Sequence, residues 1–478
     1  MSHPSTSFRP FFSNDSAKFL AARTDGFGAR LRAVVNAISL AKVLDEDFLI
    51  YWPAKNGVFH GVPSAEATFS PLFVARYCLD PKTVTTSFLK SRYLPFRECK
   101  NKESLLKASH IQVENYLSKN RYFDQYPYLS EIVDANVFSA AFASIAFNQY
   151  LEAARSLALS IPFNAPVAAV HLRASDVIYS RLQHINLFQD KVVPYPLAQA
   201  VANQLKSQGK IVILFGEDEP LCRYLAQQCD CLLASDLASK DFDRNQLAFF
   251  DIVLMSRAKE IYAGTSNFSQ LAAVVGGGTV IEPTDILSTE VIQGALRRFL
   301  ETPSLPEGVS PAQAAFAFWA AYFRYPTMFS KEERRGFLDR ALEFSPENVL
   351  YQLVSIADDL TDENEERATR QLQKLMDTEV RLKTLYPDTP KVTSQSSLTY
   401  CIRHRECSLS RKAARKLAPL ADAGNMAALL CCALAAMEPV KQKYAKQFLN
   451  LREEALGVFD ADVRAAAGMT TQTAEDSI

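Results

Sequence analysis

The chain has 478 residues, of which 48 % are apolar, enough to fill several hydrophobic cores, and this excludes a disordered or low-complexity protein. Its 52 lysines and arginines balance 53 aspartates and glutamates to a net charge of −1, which leaves no global basic field to hold a nucleic acid. Nine cysteines without a repeating frame fit reduced thiols rather than a disulfide framework, and the Cys229-Asp230-Cys231 spacing suits neither a zinc knuckle nor a redox pair, so no metal is expected.

In chain order, Lys18 to Arg23 reads as a strand, Gly28 to Leu44 as a helix with apolar residues at Leu31, Val34, Val35, Ile38, Leu40 and Ala41, and Phe48 to Trp52 as a second strand. Residues 55–135 mix prolines, aromatics and charges without a period and are expected to be irregular. A long helix is expected from Asn136 to Leu159. The alternation restarts at Pro166 to Leu172, a strand, followed by a helix at Pro196 to Gln208 and a strand at Gly209 to Phe215. A helix at Pro220 to Cys229 and a short strand at Cys231 to Ala234 come next, then a helix at Asn245 to Arg257 and a strand at Glu260 to Ala263. Ser269 to Val275 closes as a helix and Gly278 to Ile281 as a strand, so the expectation is two doubly wound α/β domains in tandem, with ligands at the carboxyl ends of their strands.

Beyond Pro303 the strand signal stops. Ser310 to Tyr325, Lys331 to Phe344, Asn348 to Asp359 and Glu363 to Leu385 read as amphipathic helices with a break at Ser345-Pro346-Glu347-Asn348, and 410–420, 425–437 and 440–456 as further helices. The cadence is loosely that of tetratricopeptide pairs. Trp319, Phe316, Phe318 and Tyr322 are expected in the core of the first of these helices. The domain scheme is therefore 1–160 and 161–303, an N-terminal and a second Rossmann-like domain, and 304–478, an all-α domain of helical pairs. The N-terminal segment lacks the basic start and apolar core of a secretory signal, and the most apolar run, Met426 to Met437, falls well short of the ~20 residues a bilayer requires. A cytoplasmic protein without a membrane span is expected.

Two stretches carry chemistry. Gly26-Phe27-Gly28 lies between a strand and a helix, where main-chain N–H groups and the helix dipole favour an anion, and Arg30 and Arg32 add positive charge. A third glycine is lacking, so a tight turn without a ligand fits equally well. His171 and Arg173 end a strand, two residues apart and on one side of it, and an arginine fork matches paired phosphate oxygens; a buried histidine beside a structural Arg173–Asp176 pair is the plain alternative. Asp251 and the hydroxyl-rich turn around Thr265, Ser266 and Ser269 add polar groups at element ends. His60, His110, His184 and His404 are scattered, Asp45-Glu46-Asp47 reads as a solvated turn, and Glu217-Asp218-Glu219 reads as a charge cluster at a helix start or a support for the cleft.

The ordered stretches "DGFGARLRAVVNAISLA", "VAAVHLRASD", "IVILFGEDEP" and "FFDIVLMSRAKEIYAGTSNFSQLAAVVGG" together resemble the GDP-fucose-dependent fucosyltransferases, the superfamily of the α1,6-fucosyltransferases, the nodulation fucosyltransferases and the protein O-fucosyltransferases. The resemblance spans Lys18 to Pro283 and leaves the helical region aside. It implies a GT-B-like pair of Rossmann-type domains and transfer of fucose from GDP-fucose to a hydroxyl of a glycan or protein acceptor. It also implies donor contacts from Gly26, Gly28 and Arg30, from His171 with Arg173 on the β-phosphate, from Asp251 on guanine, and from Thr265, Ser266 and Ser269 on phosphate or ribose. Asp25 stands where the family's first glycine is usual and Ala29 where its asparagine is.

Inverting transfer needs charge neutralised on the leaving diphosphate, which Arg173 would do without a metal, and a base for the acceptor hydroxyl, with Asp176 the first candidate and Asp25 the second. Two readings compete with this one. One is a non-catalytic scaffold on a degenerate transferase core, binding a protein partner through its helices; the other is a transferase using another nucleotide sugar.

Overall fold

The structure, a computed structural model, describes residues 17–56, 61–82, 84, 86–113, 128–129, 132–134, 136–180, 183, 189–362, 364, 366–368 and 370–371, together with 418–419, 421–422, 432 and 443–444. Almost all of the helical segments expected after residue 371, and His60, His184 and His404, lie outside the described residues. Contacts divide the chain into two compact units, Met1–Arg173 with Ala198–Leu287, and Ala174–Leu197 with Ser288–Ile478.

The first unit contains two five-stranded sheets in which every pairing is parallel. The first is built from β1 (Phe19–Ala21), β2 (Phe48–Tyr51), β3 (Cys78–Leu79), β4 (Leu94–Pro95) and β5 (Ile111–Val113), in the order β3-β2-β1-β5-β4. Its helices are α1 (Phe27–Leu44), α2 (Pro71–Tyr77), α3 (Thr86–Arg92), α4 (Lys102–Lys107), α5 (Asn136–Ala143) and α6 (Gln149–Ser160). From Phe27 to Ala41 every residue of α1 is buried, Arg30, Arg32, Asn36 and Ser39 included, so the helix is enclosed by its neighbours. It ends at Asp45, whose left-handed φ of 53° returns its N–H to Ala41, so the acidic triplet there is a cap and turn, with Glu46 paired to Lys18 at 3.1 Å.

Two expectations are corrected here. Among the described residues of 55–135 there are three strands and three helices rather than irregular structure, but each of those strands is only two or three residues long, too short for a period to register. The single helix expected over 136–159 is two helices, because Asn148 turns the chain and caps α6 by accepting from Leu151 N–H at 3.0 Å.

The second sheet follows with β6 (Val167–Leu172), α7 (Tyr195–Ser207), β7 (Ile211–Gly216), α8 (Glu219–Cys229), β8 (Leu232–Leu233), α9 (Arg244–Met255), β9 (Glu260–Tyr262), α10 (Asn267–Gly276) and β10 (Thr279–Ile281). Its order is β10-β9-β6-β7-β8. One contiguous apolar core runs through both sheets, from Phe19 and Leu31 to Phe249 and Leu271, with the ring of Phe249 against Phe27 at 6.5 Å and Phe147 at 4.4 Å. In both sheets the strand order reverses beside the first strand, so the chain leaving β1 and the chain leaving β6 each emerge at a switch point, where an open crevice is left for ligands.

The second unit contains α11 (Thr289–Leu300), α12 (Pro311–Arg324), α13 (Lys331–Phe344) and α14 (Val349–Thr361). Trp319 on α12 is buried, lies about parallel to Phe323 and Tyr351 at 5.1 Å each, and donates from Nε1 to Gln189 Oε1 at 2.6 Å. Asn348, at the end of the expected break, caps α14 through Leu350 and Tyr351 N–H. The short helix Ser175–Tyr179 belongs to this unit, because Ala174, Val177 and Ile178 bury themselves against Phe316 and Ala320. Among the described residues no helix is long and apolar enough to cross a membrane.

Candidate functional site

The register of the second sheet creates the main polar cluster. Leu172, the last residue of β6, lies opposite Gly216, the last of β7, so the next residues, Arg173 and Glu217, leave the sheet side by side. Glycine is required at 216: a Cβ there would lie 2.6 Å from Cys222 Sγ and 2.9 Å from the Leu172 carbonyl. The Arg173 guanidinium sits 3.5 Å from Glu217 Oε1, with the arginine side chain 16 % exposed and the glutamate 48 %. In the same acidic triplet Asp218 caps α8 by accepting from Leu221 N–H, and Glu219 pairs with Arg223 at 2.8 Å.

Asp251 on α9 is partly buried, and among the described residues no hydrogen bond reaches its carboxylate. Burial, and secondly the charge of Glu217, push its pKa up to about 7. Glu217 thus interacts with both proposed donor-binding residues, by an ion pair with Arg173 and by repulsion of Asp251.

His171, two residues before Arg173, is buried and its Nδ1 has no hydrogen-bond partner. Burial, reinforced by Arg173, lowers its pKa to about 3, so the ring is neutral at physiological pH. It packs against Phe268 of α10 at 5.5 Å, and Phe268 in turn meets Gly28 of α1, where a Cβ would approach Phe268 Cα to 3.2 Å. These contacts bring the ends of β1 and β6 together. Gly28 permits the close packing of α1 on α10, and Gly26 is the extended N-cap of α1, at φ −68°.

The turn after β1 differs from expectation in its charges. Arg30 is buried rather than directed at an anion, and its guanidinium donates to the carbonyls of Asp25 (2.8 Å), Thr24 (3.1 Å) and Pro53 (2.5 Å) while lying over the Trp52 ring. Five donors in a planar fork explain how one side chain holds three carbonyls of two loops. Asp25 is paired with Arg23 at 2.6 Å. Arg32 faces α10, donating to Asn267 Oδ1 at 2.9 Å and to Gln270 Oε1. At the start of α10, Ser266 accepts from Phe268 N–H, and Ser269 is fully buried and donates to the Ser266 carbonyl at 3.1 Å. Ser269 is thus bonded within its own turn, while Thr265 is partly exposed. Asp176 is buried in the second unit.

In sum, Arg173 and Asp251 share Glu217 as a neighbour, and His171 joins them through β6, whereas Arg30 and Ser269 turn inward. Sequence reasoning missed Phe268, an aromatic within the quoted "TSNFSQ", and gave Glu217 no contact; only the strand register supplies it.

No protein-family profile and no curated protein matches this chain. Among solved structures the chain is similar to the fucosyltransferase NodZ from Bradyrhizobium, at 14 % identity and a TM-score of 0.36 over 57 % of this chain and 98 % of that one. It is also similar to POFUT1 in complex with GDP, at 13 % identity and a TM-score of 0.28 over 56 % of this chain and 99 % of that one, and to NodZ alpha-1,6-fucosyltransferase soaked with GDP-fucose, at 14 % identity and a TM-score of 0.34 over 54 % of this chain and 92 % of that one.

Proposed function

We propose that the chain is a GDP-fucose-dependent glycosyltransferase, inverting and metal-independent, acting in the cytoplasm on a hydroxyl of a glycan or protein. In this reading the two sheets are the halves of a GT-B-like pair of Rossmann-type domains, and the helices that follow are an all-α domain. The observation that carries it is the cluster of Arg173, Glu217 and Asp251 at the carboxyl ends of β6 and β7, beside a neutral buried histidine with an unpaired ring nitrogen. A guanidinium, a carboxylate with an open hydrogen-bonding edge and a switch-point crevice are the groups a guanine diphosphate requires.

Arg173 would leave Glu217 for the β-phosphate and offset the charge that grows there as the glycosidic bond breaks. Ionised Asp251 would accept from guanine N1–H and the 2-amino group. Neutral His171 would offer its free Nδ1 to the donor. The start of α1 at Gly26 and Gly28 would present main-chain N–H groups, with Arg30 fixing that turn from behind, and Thr265 and Ser266 would lie at the start of α10. The base is Asp176 or Asp25. An Asn replacement of the true base should cut kcat by about 10²–10⁴ and leave donor affinity unchanged.

Isothermal titration of the full chain with GDP tests the reading. Binding is expected, weakened by about 1.5–3 kcal/mol in Arg173→Ala, with no comparable heat from UDP. Absence of GDP binding at millimolar ligand would sink it. The internal commitments of Arg30 and Asp25 favour the second reading, a non-catalytic scaffold whose helices bind a protein partner, and the same titration separates the two.

A further inference from the structure

A cleft of about 590 Å³ lies within the first unit, walled by parts of the segment 63–71, the first turn of α6 and the first turn of α9. None of His171, Arg173, Glu217 or Asp251 lines it, and its volume is in the range of small-ligand sites. We propose that this cleft binds a neutral polyhydroxylated ring, a sugar unit of a carbohydrate-bearing acceptor. The proposal extends the glycosyltransferase reading by naming the acceptor class.

The chemistry of the walls selects this ligand. The floor is apolar: Phe69 and Phe147 are buried, and an antiparallel bridge between them holds the two walls together. On the rim, the Tyr150 ring is 62 % exposed, a surface on which the apolar face of a sugar could rest. Among the described residues no lysine, arginine or histidine lines the cleft, so none of them favours a phosphate or sulfate there.

The acidic groups are already occupied. Asp243 accepts from the N–H groups of Asn245 and Gln246 at 2.8 Å each, and a hydrogen bond from the Ser64 hydroxyl holds the Glu66 carboxyl below its usual pKa. Asn148 is likewise committed, to Leu151 N–H and the Ala67 carbonyl, and Gln246 to Asp243 N–H and the Tyr150 carbonyl. The groups left without hydrogen bonds among the described residues are the phenol of Tyr150 and the amides of Gln149 and Asn245. Each of them both donates and accepts, which matches neutral hydroxyls.

Saturation-transfer NMR on the full chain, without donor, tests this against a panel of neutral di- to tetrasaccharides of hexoses, N-acetylhexosamines and pentoses. At least one is expected to bind, with about tenfold weaker affinity in Tyr150→Ala and within about threefold of the parent in Tyr150→Phe. Ala67→Trp, which fills the cleft from an exposed position, should remove the signal, and GDP binding should be unchanged in all three variants. The proposal is overturned if no saccharide gives transfer at millimolar concentration. It also falls if binding persists unaltered in Tyr150→Ala and Ala67→Trp, or if Arg173→Ala removes the saccharide signal. Because GDP is titrated separately, loss of the donor reading and loss of this one are distinct results.

Discussion

Arg173 and Glu217 face each other across 3.5 Å because β6 and β7 run parallel with Leu172 opposite Gly216, so neither residue could move by one position without breaking the pair. The guanidinium proposed to meet a diphosphate is thereby held by a carboxylate of the same chain. Glu217→Gln should remove this ion pair and tighten GDP binding about two- to fivefold, the size expected of an ion pair with this much solvent access. Titration calorimetry reads it, and weaker binding in this variant would show that Glu217 supports the donor rather than competing with it.

Asp251 gives a pH dependence with a definite sign. Its folded pKa is raised to about 7, whereas in the unfolded chain a carboxyl titrates near ~4, so between these values the folded protein holds a proton the unfolded chain has lost. The stability it allows is therefore greatest at low pH and declines as pH rises towards 7. Asp251→Asn should match the parent near pH 3.5 and exceed it at pH 8 by on the order of 1–3 kcal/mol, discounted for partial exposure. Urea denaturation across that range checks it. Donor binding should run the other way, with GDP affinity rising through pH 7 as the guanine-accepting carboxylate forms, and with no such rise in Asp251→Asn.

Gly28 separates packing from ligand binding. Its missing Cβ would lie 3.2 Å from Phe268 Cα, so Gly28→Leu should push α1 off α10 and cost about 1–3 kcal/mol in chemical denaturation. Full stability with lost GDP binding would instead return this glycine to a purely phosphate-binding role.

Arg30→Lys tests the carbonyl clamp. A lysine cannot reach Thr24, Asp25 and Pro53 together, and the turn after β1 should loosen. The expected loss is about 1–3 kcal/mol in thermal or urea unfolding, from buried carbonyls left without donors. Unchanged stability would contradict the clamp.

Much of the architecture was legible because long elements repeat their signal. Lys331–Phe344 has the same ends in sequence and structure, helped by its Ser330–Glu333 capping box, and the apolar runs of β6 and β7 stand out from their surroundings. The strands Cys78–Leu79 and Leu94–Pro95 were illegible because two residues carry no alternation, and their existence depends on pairing with β2 and β5. The division of Asn136–Ala143 from Gln149–Ser160 rested on one capping asparagine within an otherwise helical text.

The candidate site divides in the same way. His171 and Arg173 could be picked out from local pattern, because which residues end a strand is a local property, whereas Asp251 lies within a helix. Which of their groups are free is not local. Glu217 reaches Arg173 through β-register, Gly28 meets Phe268 from some 240 positions away, and Arg30 turns inward to carbonyls on two loops. Periodicity and capping in the chain determined the elements and their order; contacts between segments distant in sequence decided which charges were left to act, because hydrogen bonds and burial are settled only once those segments meet.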